Sequence, residues 1–429
     1  MSNAVSPSQE ELGEHIEQPL ETKGGGRITY SFSDKDKIIH KDYTDAPWLT
    51  RKVLHLPEAM LGLAVGIASM STLYNNSYKH LDLYDDDTAE IVALTFASIG
   101  IVMIAVYGIK VILCWDKVAN CFYCPTDSAV FPLIGMAFMT FGAGCQPYSP
   151  TLAQGMWYFG LLSYAALLGN FLYRNRYCNP YYMSWNDIRD TTVPLLMIPF
   201  VGIELGTVSS VTIDVTWDQQ ENKPDFVGEF CFFAGVVGAI IIMPPTMARL
   251  FFGAPLSDAS MPTIFIMMAP KYLMLAAWLT NYPTNATGPH EMVAHALFVC
   301  GGWSYCYTHY KVAQRALSLP GYYLPFAFSF ASFTFPIDAV AIALMKYYGA
   351  TGWDWSKKLA TFVFGEANLV LALVVCRFLL ELYRNLTTQA PTICEGDQED
   401  AKGKTYEIQP GGSAHGGSNP KLDLQHDLI

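Results

Sequence analysis

The chain has 429 residues, of which 52% are hydrophobic and 15% are charged. Soluble globular proteins carry about 25% charged residues, so this deficit indicates a polytopic membrane protein whose lipid-facing surface cannot hold charge. The net charge of -12 argues against nucleic acid as a partner. No phosphate-binding loop, dinucleotide fingerprint, zinc-protease motif or serine-hydrolase motif is present, so the sequence does not predict an enzyme or a cofactor.

Two polar tails flank the apolar part of the chain. Residues 1–52 and 385–429 are too polar to bury a core, and we predict that both are disordered. The domain between them, 53–384, contains apolar segments long enough to cross about 30 Å of hydrocarbon. Ten spans are predicted, at 57–76, 88–113, 129–146, 151–173, 192–213, 226–250, 262–282, 291–312, 322–347 and 358–382.

Basic residues are distributed unequally between the two sides of this predicted all-α bundle. Ten spans place both tails on one side, and the side richer in lysine and arginine is the cytoplasmic one. Fourteen basic residues fall on the side of the tails: Lys35, Lys37, Lys41, Arg51, Lys52, Lys110, Lys117, Arg174, Arg176, Arg189, Arg249, Lys311, Arg315 and Arg384. The other side has Lys79, Lys223, Lys346, Lys357 and Lys358. Both termini are therefore predicted to be cytoplasmic, and we expect the plasma membrane as the location.

The odd-numbered spans carry most of the helix-breaking residues. Their prolines include Pro57, Pro132, Pro194, Pro199, Pro270 and Pro336. The even-numbered spans are longer and smoother, so the pattern predicts five helical hairpins, each with one kinked and one straighter helix. Interrupted helices often line the binding sites of transporters, which favours an inner ring of kinked helices around a pore. The alternative is that proline and glycine are simply frequent in membrane helices.

The ninth span is the most irregular of the ten. It contains Pro325 and Pro336, several hydroxyl side chains, and Asp338. A proline-broken helix is tolerated at membrane depth where protein or a water-filled cavity satisfies the freed carbonyl. The span therefore predicts one wall of a permeation pathway, and Phe335, directly before Pro336, is the predicted plug.

Four stretches resemble the tellurite-resistance/dicarboxylate transporter family, which includes the plant slow-type anion channels. They are PEAMLGLAVGIASMS from Pro57, TVPLLMIPFVGIELG from Thr192, PTIFIMMAPKYLMLAAWL from Pro262 and SFTFPIDAVAIALMKYY from Ser332. The resemblance covers about 53–384. It implies a homotrimer in which each protomer has its own pore lined by the odd-numbered helices. It also implies passage of small anions or carboxylates, and a phenylalanine gate that maps onto Phe335, with Phe330 as the runner-up.

Four charged residues lie at predicted membrane depth: Lys271, Glu204, Asp338 and Glu366. These four charges depart from what the resemblance leads us to expect. A charge at membrane depth is costly and normally faces a cavity or a partner. Lys271 either attracts anions in the pathway or forms a salt bridge to one of the three acids. The acids either serve a proton-coupled carboxylate symporter, since buried carboxylates can take up a proton, or are neutralised locally.

Cys121 and Cys124 form a single CxxC motif in a predicted cytoplasmic loop. A structural zinc site needs a second pair of ligands, which the sequence does not clearly supply, so we expect ordinary reduced thiols and no metal. The predicted function is passage of chloride-like or nitrate-like anions, or of carboxylates such as malate, through a phenylalanine-gated pore. The alternatives are the symporter and a membrane receptor or scaffold without transport. Membrane lipids, and a regulatory kinase acting on the tails, are the other expected partners.

Overall fold

The computed structural model describes residues 47–54, 56–122, 125–174, 194–210, 226–253, 256, 261–282, 289–319 and 328–387. These residues belong to one compact unit, Ile39–Gln389. Within the described ranges the chain is helical and has no β-strand, which confirms the all-α prediction for this part of the protein. Pro325 lies outside the described residues.

The α-helices are numbered in chain order. They are α1 (Trp48–Leu54), α2 (Met60–Leu81), α3 (Asp86–Leu113), α4 (Trp115–Cys121), α5 (Pro125–Ser128), α6 (Leu133–Cys145), α7 (Pro150–Tyr173), α8 (Ile198–Val201), α9 (Glu204–Ser210), α10 (Phe226–Phe252), α11 (Ala269–Asn281), α12 (Pro289–Ser318), α13 (Thr334–Thr351) and α14 (Asp354–Thr387). Three 3-10 helices, Pro194–Met197, Met261–Met268 and Phe328–Phe333, precede α8, α11 and α13.

Helical segments that are long and apolar enough to cross a bilayer are found in the described part of the chain. There are five by length and composition: Asp86–Leu113, Phe226–Phe252, Met261–Asn281, Ser329–Thr351 and Asp354–Arg384. Leu133–Cys145 is apolar but shorter. Runs of this kind are the signature of membrane-spanning helices, because about 20 residues of helix cross the hydrocarbon.

The helices fall into two sets that differ in burial. In Met261–Asn281 and Ser329–Thr351, 94% and 72% of the most apolar stretch is buried inside the protein. In Asp86–Leu113, Phe226–Phe252 and Asp354–Arg384, the corresponding shares are 28%, 39% and 33%. We call α2, α6, α8 with α9, α11 and α13 the inner helices, and α3, α7, α10, α12 and α14 the outer helices. The exposed apolar faces of the outer helices are those expected of a lipid-facing surface.

The inner helices form a closed ring. Contacts run from α2 to α6, from α6 to α9, from α9 to α11, from α11 to α13, and from α13 back to α2. Each inner helix also packs along the outer helix that follows it in the chain. The core of the molecule therefore lies between the inner helices and under the inward faces of the outer ones.

Glycine allows two of the closest helix approaches. A Cβ atom on Gly66 of α2 would overlap the Thr334 hydroxyl at the start of α13. A Cβ atom on Gly135 of α6 would lie 2.5 Å from the carbonyl oxygen of Gly160 and 2.6 Å from the backbone nitrogen of Tyr164, both in α7. Small residues at helix interfaces permit such close backbone contact in membrane proteins.

The prolines predicted to kink the odd-numbered spans lie mostly where helices begin. Pro132 is the N-cap of α6, and Pro199 and Pro270 lie in the first turns of α8 and α11. Proline suits these positions because the first amide groups of a helix have no intrahelical acceptor. The outer helices are not free of proline either, since Pro244 and Pro245 lie inside α10.

Candidate functional site

A cavity of about 290 Å³ lies inside the ring of inner helices. Its lining comes from all five inner segments and the residues just before them: Pro57, Glu58, Ala59, Gly62, Asp127, Val130, Leu133, Met136, Leu195, Ile198, Val201, Gly202, Thr263, Ile266, Ala269, Ser329, Ala331, Ser332, Phe335 and Pro336. Most of these side chains are apolar, and the polar ones are two acids, two serines and a threonine. No lysine, arginine or histidine is among the lining residues of the described part of the chain.

The cavity occupies only the N-terminal parts of the inner segments. The lining residues furthest along them are Gly62, Met136, Gly202, Ala269 and Pro336. Beyond this level the inner helices are closely packed, as the approach of Gly66 to Thr334 illustrates. The lining of this cavity therefore ends at the depth where α13 begins.

Phe335 lies at this end of the cavity lining. It is the second residue of α13 and is half-buried, whereas its neighbours Thr334 and Pro336 are buried. Both Phe335 and Pro336 line the cavity. Phe330 does not line it, and its ring instead lies 4.8 Å from that of Phe333.

Of the six prolines predicted to line a pore, two line the cavity. Pro57 lies near the start of α2, and Pro336 lies in the first turn of α13. Pro132, Pro194, Pro199 and Pro270 are not lining residues. Their placement at helix starts shapes the N-terminal ends of the inner segments without exposing the rings to the cavity.

Lys271 is directed towards an outer helix. Its ammonium group donates a hydrogen bond to the Ser304 hydroxyl in α12 and lies 5.9 Å from the centre of the Trp303 ring. It does not line the cavity, and no ion pair joins it to an acid among the described residues. The structure thus brings Lys271 to α12 and not to Glu204, Asp338 or Glu366.

The three predicted acids occupy separate environments, none of them in the cavity lining. Asp338 accepts a hydrogen bond from the Ser69 hydroxyl in α2, and its Oδ1 has no partner. Glu204 is fully buried against Gly235 of α10, and neither of its carboxylate oxygens has a hydrogen-bond partner among the residues that the structure describes.

Glu366 belongs to the outer helices. One of its oxygens lies 2.7 Å from His309 Nε2, and the other accepts a hydrogen bond from the Tyr305 hydroxyl. Both partners are in α12, so this network joins α12 to α14. The four charged residues predicted from sequence therefore do not form one cluster.

The cavity lining includes two acids that sequence reasoning did not single out, Glu58 and Asp127. Lys110, near the end of α3, donates to Glu58 Oε1 at 2.6 Å and to the Leu56 carbonyl at 2.5 Å. A signal was present in the sequence: opposite charges lie at the same end of two consecutive predicted spans. The thiol of Cys121 lies 3.7 Å from Glu58 Oε1.

The cysteine motif has no zinc-like surroundings in the described region. Cys124 lies outside the described residues, and no group of three or more histidine, cysteine, aspartate or glutamate side chains that could hold a metal occurs within them. Burial, and after it the nearby Glu58 carboxylate, raises the pKa of the Cys121 thiol to about 12. A metal-binding or nucleophilic cysteine needs the opposite shift of its pKa.

Comparison with known families identifies this architecture. The sequence model of the voltage-dependent anion channel family matches residues 55–379, which is most of the chain. The chain belongs to the voltage-dependent anion channel family. A search of the curated proteins returned no match.

Membership of the voltage-dependent anion channel family confirms the resemblance seen in four stretches of sequence. The chain is an integral membrane protein of a family of channels and transporters for anions. The matched region contains every inner helix and the whole cavity lining.

Proposed function

We propose that this protein conducts small anions along the axis of the inner helices, and that the ring of Phe335 closes the path. In this proposal the ten helical segments all cross the membrane as five hairpins. The observation that carries the proposal is the cavity: it lies inside a closed ring of five inner segments and ends at Phe335. Its volume of about 290 Å³ is enough for a small inorganic anion or a short carboxylate.

Helix orientation supports an anionic passenger. The N-terminal parts of all five inner segments surround the cavity, so their backbone dipoles present their positive ends on the same side. Anions are stabilised near helix N-termini, and interrupted helices supply such ends inside membranes. This compensates for the absence of basic side chains among the cavity-lining residues described.

The proposed gate acts by excluding water. An apolar ring at a constriction prevents a hydrated ion from passing until the ring rotates away. Phe335 is suited to this role because its large ring lines the cavity where the lining ends. Gly66 and Thr334, which lie next to it, keep α2 and α13 too close for another route between them.

The test is Phe335→Ala. The matched control is Phe330→Ala, five residues earlier in the chain and outside the cavity lining. We expect Phe335→Ala to raise basal anion conductance about tenfold or more and Phe330→Ala to leave it within about twofold. Currents are recorded under voltage clamp after reconstitution, at matched protein content. An unchanged current for Phe335→Ala in normally inserted protein, or equal effects of both variants, contradicts the gate.

A second candidate is a proton-coupled symporter for mono- or dicarboxylates. The observation that favours it is the pair of fully buried acids, Glu204 and Asp338, which carry carboxylate oxygens without hydrogen-bond partners. Intramembrane acids are costly and often belong to proton relays. Electroneutral malate uptake that collapses when the pH gradient is removed would support this candidate. Current driven by a passive anion gradient would favour the channel.

The assembly and topology complete the proposal. We propose a homotrimer in the plasma membrane. Both termini lie in the cytoplasm in this proposal, because basic residues are concentrated near that side of the predicted spans. The cavity then opens towards the cytoplasm, because the inner segments start on that side. In this proposal residues 1–52 and 385–429 are cytoplasmic tails that a regulatory kinase can reach.

A further inference from the structure

Two acidic side chains line the proposed anion path at its open end. Glu58 precedes α2, and Asp127 lies in α5. A carboxylate at the mouth of an anion pathway repels the permeant ion and attracts cations, so charged rings at pore mouths normally set the sign of the permeant ion. The mouth therefore needs a compensating positive charge if anions are to enter.

Lys110 supplies a positive charge directly behind Glu58. Its ammonium group lies 2.6 Å from Glu58 Oε1, and its side chain is 5% exposed whereas that of Glu58 is 28% exposed. Lys110 also donates to the Leu56 carbonyl, which fixes it against the chain that leads into α2. The lysine is thus held behind the carboxylate, and only the carboxylate faces the cavity.

We propose that Lys110 neutralises Glu58 at the mouth and thereby determines that anions are admitted in preference to cations. This inference rests on the proposed anion pathway and assigns it a selectivity-determining pair. Lys110 is a positioning residue, because it acts through Glu58 without lining the cavity itself.

Three variants separate charge from structure: Lys110→Met, Glu58→Gln, and the two combined. The control is Lys117→Met, which removes a lysine of α4 that does not line the cavity. Reversal potentials are measured in a KCl gradient with reconstituted protein, and single-channel or macroscopic conductance is recorded at low and high salt. A reversal potential reports the ratio of anion to cation permeability, which a simple loss of folded protein does not change.

We expect Lys110→Met to shift the reversal potential towards that of K⁺ and to lower Cl⁻ conductance about fivefold at low salt, with a smaller loss at high salt where the charge is screened. Glu58→Gln should shift the reversal potential towards that of Cl⁻, because Lys110 is then left uncompensated. The combined variant should return it to the wild-type value, and Lys117→Met should leave it unchanged.

Several outcomes overturn the inference. If inserted Lys110→Met protein keeps the reversal potential of the wild type, the inference is wrong. It is also wrong if the combined variant is as unselective as Lys110→Met. If Lys110→Met does not assemble, Glu58→Gln decides alone, and an unchanged reversal potential counts against the pair. Absence of any anion current in the wild type, by contrast, removes the proposed function itself and is recognised before the variants are compared.

Discussion

The inner and outer helices differ in what surrounds them. In Met261–Asn281, an inner segment, 94% of the apolar stretch is buried, against 28% in the outer helix Asp86–Leu113. Both are apolar, so hydropathy alone does not separate them. The inner helices carry glycine, proline and hydroxyl groups because protein surrounds them and can satisfy freed backbone groups. The outer helices meet lipid and have few breaks in their backbone hydrogen bonding, with Pro244 and Pro245 inside α10 as the exception.

The surroundings of a polar or irregular residue in this protein therefore depend on whether an inner or an outer helix carries it. Asp338 and Phe335 belong to an inner helix, whereas Glu366 belongs to an outer one.

Packing at the contact between α6 and α7 gives the strongest contrast. We expect Gly135→Ala to destabilise the protein by about 3 kcal/mol, because the new methyl group meets backbone atoms that cannot move aside. The matched control is Gly169→Ala on the outer helix α7, where nothing lies within 4 Å of the new atom. Thermal unfolding in detergent measures both, and similar losses would show that the two sets are packed alike.

The contact between Lys271 and α12 tests whether an inner charge serves the pathway or the packing. Ser304→Ala should cost about 2 kcal/mol, because the buried ammonium group loses its hydrogen-bond acceptor. Lys271→Met removes the ammonium group itself, so that no charge is left buried without its acceptor, and this variant should cost less stability than Ser304→Ala. We also expect Lys271→Met to retain anion flux, since Lys271 does not line the cavity. Lost flux in assembled Lys271→Met protein would place this lysine in the path.

The link between α2 and α13 beyond the gate should have a smaller effect. Ser69→Ala removes the donor to Asp338 and is expected to cost about 1 kcal/mol. Asp338→Asn keeps an acceptor for Ser69 and should change stability by less than about 0.5 kcal/mol. Unfolding in detergent ranks the two variants. A larger loss for Asp338→Asn would mean that the negative charge itself is required.

The thiol of Cys121, which lies outside the predicted spans, should react slowly with alkylating reagents. Its pKa of about 12 means that the thiolate is scarce at pH 8 and increases as the pH rises towards 12. Alkylation at pH 8 should therefore be about 1,000-fold slower than for an unperturbed thiol of pKa about 8.5.

Glu58→Gln should speed this alkylation, because the carboxylate is one cause of the raised pKa. Mass spectrometry of the Cys121 peptide follows the rate from pH 7 to 10. A rate that is already maximal at pH 8 would show that the thiol is not shielded in this way.

Sequence reasoning located the helical segments well. Helical structure occurs in each of the ten predicted spans within the described residues, and the family assignment from four stretches is confirmed. Hydrophobic length and the placement of proline are local properties, so they can be read from one chain. The prolines proved more often to start helices than to kink them, and Pro244 and Pro245 interrupt the simple alternation.

Contacts between side chains of different helices were harder to anticipate. Lys271 was expected in the pathway or in a salt bridge, and the structure places it against Ser304. Glu366 is predicted only to lie at membrane depth, and the structure adds its contact with His309 of α12. Such contacts depend on the rotation and depth of each helix, which hydropathy does not fix.

The sequence by itself determined a polytopic helical membrane protein of the voltage-dependent anion channel family and singled out Phe335 beside Pro336. Only the tertiary structure decided that five segments close into a ring, that Phe335 lines the cavity inside it, and that Lys110 pairs with Glu58. The physical reason is the distance along the chain over which each property is set. Apolar length and helix breaks act along the chain, whereas burial and charge pairing depend on which helix faces meet.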